Sequence, residues 1–115
     1  MIRRKEKRLE GLISWLKYLD IEYLSYEEAI QLSVLDINNP EQMQETFRLA
    51  VLPEFNALNP VSKISMRSVL KEALSATEEE LQPVFDRVGM PFPQPVASKQ
   101  AFLKALQSVC GEHQV

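Results

Sequence analysis

Leu9-Glu10-Gly11-Leu12-Ile13-Ser14-Trp15-Leu16-Lys17-Tyr18-Leu19 is the stretch on which the fold turns. Leu9, Leu12, Ile13, Leu16 and Leu19 recur at intervals of three and four, the spacing that stacks side chains on one face of an α-helix. Arg4, Lys7, Glu10 and Lys17 supply polar positions, so the pattern predicts an amphipathic helix over about residues 4–19. Turned at about 100° per residue from Leu9, the leucine stripe centres near about 330°, Trp15 falls at about 240° and Tyr18 at about 180°. Trp15 is therefore expected at the edge of the core and Tyr18 nearly opposite it.

Beyond this helix the chain announces helix starts. Ser25 and Glu28 have the spacing of a capping box, as do Thr77 and Glu80. Asn39-Pro40 with Gln42, Asn59-Pro60 with Ser62, and Ser98 supply further N-caps, two of them with proline where a missing N–H costs nothing. These signals predict helices from about 25 to 35, from 39 until Pro53 stops it, from 59 to about 74, from 77 or Pro83 to Gly89, and from 98 to Gly111. Gly89 is expected to end its helix in the left-handed conformation. Ile21 to Leu24 alternate too briefly to separate a turn from a short strand. Pro91, Pro93 and Pro95 at alternate positions forbid a helix and favour an extended path.

The expectation is an all-α, single compact domain over residues 1–115 with about five helices and a proline-rich extended segment before the last. Residues 1–8 form a basic arm and residues 111–115 a frayed tail. A chain of 115 residues that is 45% apolar and 25% charged suits one soluble domain. No apolar run approaches the roughly 20 residues of a membrane span. No secretory h-region follows the charged N-terminus, and a cytoplasmic protein is expected.

Chemistry-bearing residues are scarce. The single cysteine, Cys110, has no disulfide partner, and with His113 it offers two metal ligands where zinc sites use three or four. Nucleophilic catalysis would have to use the same terminal histidine. Three glycines, at 11, 89 and 111, give no phosphate-cradling loop. Glu78, Glu79 and Glu80 stand where a helix dipole favours acids and are read as a solvated helix start. No catalytic residue, cofactor or metal is expected, and the chain is read as non-enzymatic.

Charge is unevenly distributed. Arg3, Arg4, Lys5, Lys7 and Arg8 against Glu6 give residues 1–8 a net +4, leaving −7 on residues 9–115 of a chain whose total is −3. From Tyr18 to Ser62, eight acids face only Arg48. Tyr18, Tyr23 and Tyr26, with Trp15, lie among Asp20, Glu22, Glu27 and Glu28 near the junction of the first two helices. Aromatic anchors beside one sign of charge suit a protein interface. The leading expectation is thus a small protein-interaction module, a regulator, inhibitor or adaptor, whose partner is a basic protein or a second copy of this chain. The alternative is a nucleic-acid-binding protein using Arg3, Arg4, Lys5, Lys7 and Arg8 together with Lys63, Arg67 and Lys71, whose four-residue spacing puts three cations on one helical face.

Overall fold

The computed structural model describes residues 9–111. The expected basic arm and residues 112–115 of the expected tail, including His113, lie outside the described residues. Helix α1 (Ile13–Leu16) is a single α-turn between two 3-10 turns, Glu10–Leu12 and Lys17–Leu19. It is followed by α2 (Tyr26–Ser33), α3 (Pro40–Ala50), α4 (Leu52–Asn56), α5 (Pro60–Ala73), α6 (Glu78–Phe85) and α7 (Lys99–Cys110). Among the described residues there is no strand, and Ile21 to Leu24 are a turn. The Cα radius of gyration is 13.5 Å, close to the roughly 13 Å of a compact chain this long.

Caps set the boundaries as the sequence predicts. Ser25–Glu28 and Thr77–Glu80 are complete capping boxes. Asn39 accepts from the N–H groups of Glu41 and Gln42, while Gln42 turns its side-chain oxygen to the Asp36 N–H at 2.7 Å instead of closing a box. Asn59 and Ser98 cap α5 and α7.

Two expectations about helix ends are corrected, and the choice left open at Pro83 is decided. Pro53 does not end the helical run; α3 stops at Ala50, and Pro53 sits in the first turn of α4, where its missing N–H is no loss. Of the two starts left open for α6, the one at Thr77 holds, with Pro83 carried inside the helix. Gly89 does not take the left-handed conformation, since among the described residues no glycine has positive φ. Gly111 does end α7, in extended backbone, and it must be glycine because a Cβ there would collide with the Gln107 carbonyl. It is buried and its N–H bonds that carbonyl, so Gly111 itself is held in the fold and is not part of a frayed tail.

Helix α7 is the central element, in contact with α3, α4, α5 and α6. Its Phe102 is fully buried and meets Phe47 of α3 and Phe85 of α6 edge-on, at 4.9 and 5.2 Å between ring centroids. On the other side Trp15 stacks on Phe55 of α4 at 5.1 Å and donates its indole N–H to the Met66 carbonyl of α5 at 2.9 Å. Close approach there also needs Gly11, since Val69 of α5 stands 3.0 Å from where a Cβ would be.

The proline segment carries the chain from α6 to α7 without helix, bending at Pro93 and Gln94. Asn38 clamps it, donating from Nδ2 to the Pro95 carbonyl at 3.0 Å and accepting the Ala97 N–H at 2.8 Å. The start of α7 is then tied to α6 by Glu78. Its two carboxylate oxygens accept the N–H groups of Lys99 and Gln100, both at 2.9 Å, while the Gln100 amide donates to the Ala76 carbonyl. The Gln100 and Lys99 N–H groups hold the Glu78 carboxyl below its ordinary value of 4.5 against a smaller opposing effect of burial.

A lowered folded pKa means a contribution complete above the unfolded value and lost as pH falls through the folded one. Glu78→Gln is expected to lower stability by about 1 kcal/mol at neutral pH, the order of a lost helix cap at a partly exposed site. Urea unfolding of the two proteins across pH should show the difference shrinking from about pH 4 downward.

Candidate functional site

Helix α2 is held by little. Leu32 is its only buried residue. Tyr26, Ile30 and Val34, spaced by four, remain 82%, 48% and 79% exposed. On a helical projection they cover about 80° of arc, with Leu32 on the far side at about 240° from Tyr26. Glu27 flanks the stripe at about 100°. The turn before α2 adds exposed Ile21 and Glu22 and half-exposed Tyr23. The stripe thus offers an aromatic and aliphatic face with Glu27 at its edge, and the preceding turn adds further exposed apolar and acidic side chains.

The eight residues expected at this surface divide by environment. Glu22, Tyr23, Tyr26 and Glu27 are exposed. Asp20 is committed to the turn, its carboxylate accepting the Glu22 N–H and its carbonyl the N–H groups of Tyr23 and Leu24. Glu28 closes the Ser25 capping box through the Ser25 N–H. Trp15 is in the core at 1% exposure.

Tyr18 corrects the helical-wheel expectation: it is buried, at 4% exposure. The cause is the 3-10 geometry at both ends of the first helical segment, which advances about 120° per residue instead of about 100°. On that path Tyr18 comes round to about 280°, beside Trp15 at about 300°, and Leu9, Leu12, Leu16 and Leu19 gather between about 0° and about 40°. Tyr23 covers Tyr18 edge-on at 5.5 Å and donates its hydroxyl to Glu54 Oε1 at 2.9 Å. Burial, and secondarily Glu54, raises the Tyr18 phenol above its ordinary 10.0; for Tyr23 the bond to Glu54 is the leading cause of a rise.

Ile30 and Val34 were not expected at the surface. Their four-residue spacing from Tyr26 is visible in the sequence, but Ala29, Leu32 and Leu35 offer a competing apolar face, and periodicity alone does not say which one is covered.

Of the cationic alternative, Arg3, Arg4, Lys5, Lys7 and Arg8 lie outside the described residues. Lys63, Arg67 and Lys71 all stand on α5 but in different settings. Lys71 is exposed and Lys63 half-buried, while the Arg67 guanidinium lies over the Phe55 ring at 5.2 Å. Cys110 is buried on α7, and that burial, outweighing the opposing pull of Arg67, pushes its thiol up to about 12. Among the described residues no three His, Cys, Asp or Glu side chains gather as a metal site, and no helix is long and apolar enough to cross a membrane. Comparison with protein-family models, with curated proteins and with solved structures gives no match.

Two measurements separate the interior tyrosine from the surface one and test the thiol. Tyr18→Ala is expected to cost about 3–5 kcal/mol in urea unfolding, as for other buried aromatics. Tyr26→Ala should stay within about 0.5 kcal/mol of the parent. Ellman's reagent at pH 8 should react with Cys110 only as fast as the protein unfolds, and at once in urea.

Proposed function

We propose that this protein is a small recognition module, acting as a regulator, inhibitor or adaptor without catalysis of its own, and that the exposed face of α2 is where it docks a partner. The observation that carries the reading is the exposure of Tyr26, Ile30 and Val34 along one face of a helix that buries only Leu32. Apolar side chains left in water at helical spacing are the half of an interface that one protein can provide. Covering Val34 fully would recover about 1.5–3 kcal/mol, and covering the exposed half of Ile30 roughly half as much, before the costs of association.

Charge narrows the partner. Glu27 flanks the stripe, Glu22 is exposed in the turn before it, and the chain outside residues 1–8 carries −7. A partner segment with apolar residues bordered by Lys or Arg complements this face, and like-charged surfaces are repelled. Tyr26 is the expected anchor, with a large contact area and few torsions to freeze.

Capture from a native extract is the starting experiment, with parent protein and a Tyr26→Ala, Val34→Ser variant on parallel resins. A retained protein is then purified and titrated against both. The expected result is affinity reduced about tenfold or more by the variant at unchanged melting temperature, with a slower on-rate as salt rises. Equal affinity for both proteins would move the interface away from α2.

A further inference from the structure

A second feature, independent of the α2 face, lies between α5 and α7. The two helices enclose an open groove of about 740 Å³ whose polar lining comes from Arg67, Ser68 and Lys71 on one side and Lys104, Gln107 and Ser108 on the other. Among the described residues no carboxylate lines it. In a body of net negative charge, three cations drawn from two helices to one concavity repel one another, and among the described residues none of the three is ion-paired. A concave surface of one sign concentrates the field and draws counter-ions.

Arg67 is pre-positioned for such an ion. Its guanidinium packs over Phe55, which is itself stacked on Trp15, and its Nε is buried without a hydrogen-bond partner. A pinned arginine has already lost the rotamer freedom that an exposed one gives up on binding. Lys71 follows it by one helical turn, and Lys104 faces in from α7. Ser68, Ser108 and Gln107 add neutral donors.

We propose that this groove binds a phosphate-bearing small molecule. Three cations with hydroxyl and amide donors suit a group presenting several oxygens and more than one negative charge, more than they suit a single carboxylate. The volume lies in the range of small-molecule sites, about 300–1,000 Å³. An extended polyanion would have to leave the groove across an acidic body, which favours a compact ligand over a nucleic-acid strand.

Inorganic pyrophosphate is the probe. Titrated into the isotopically labelled full chain at moderate salt, it is expected to shift backbone amide resonances of residues 67–71 and 104–111 saturably and to raise the melting temperature. A Lys71→Gln, Lys104→Gln double variant, which leaves the Arg67 packing in place, should bind about tenfold more weakly or worse, the order expected for lost charge-assisted bonds. Lys63→Gln, on the same helix outside the groove, should bind like the parent. No saturation by about 10 mM, shifts confined to other parts of the fold, or equal weakening by Lys63→Gln would overturn the proposal. A short single-stranded oligonucleotide is the second arm. Weaker binding than pyrophosphate supports a compact phosphate ligand, and binding more than about tenfold tighter, lost in the double variant, would overturn it in favour of a nucleic-acid site.

Discussion

The indole of Trp15 is the point from which the rest of the packing hangs. A helical segment of mixed 3-10 and α geometry has few internal hydrogen bonds to hold it, so its place is fixed from outside. Trp15 supplies this twice, by a hydrogen bond to the Met66 carbonyl in the middle of α5 and by stacking on Phe55 of α4. A buried indole N–H without an acceptor would cost about 1–3 kcal/mol, so the Met66 carbonyl sets the orientation of the ring as well as its depth. Phe55 in turn carries Arg67 on its ring. One apolar stack therefore decides how α1 sits and where a groove cation is held.

At the other end of the molecule, α7 plays the corresponding part through Phe102 and the carboxylate of Glu78. The aromatic contacts place the helix in the core, and Glu78 fixes where it begins. This division is common to short helices: packing supplies most of the free energy, and caps choose the register at which packing starts. It also separates the two candidate surfaces. The α2 face lies on the helix with least packing, whereas the α5–α7 groove is framed by two of the longest helices.

Much of the fold is legible in the sequence because N-caps are local chemistry. Ser25, Asn39, Asn59, Thr77 and Ser98 each stand one residue before the helix they begin. Helix ends were less legible, since Pro53 opens a helix as readily as it closes one. The misplacement of Tyr18 has a different origin: a wheel drawn at one fixed angle per residue cannot register 3-10 turns, and two of them bring a tyrosine from the far side into the core. Glu78 was legible as a helix-start acid but not as the cap of a helix twenty-one residues on, because that role depends on where α7 comes to lie. The candidate surfaces were partly legible for the same reason. Tyr26 and Glu27 could be named from composition and spacing, but Lys104 joins Arg67 and Lys71 only through the packing of two helices distant in sequence.

The proline segment before α7 has a consequence for solubility. Proline has no N–H, so positions 91, 93 and 95 offer no donor to a pairing strand. The Ala97 N–H is taken by Asn38, which also occupies the Pro95 carbonyl. An extended run with a bare edge is otherwise a template on which a second chain can add a strand. Here the donors at positions 91, 93 and 95 are missing and that at 97 is filled, and the passage bends at Pro93 and Gln94, so intermolecular β-pairing along it is disfavoured.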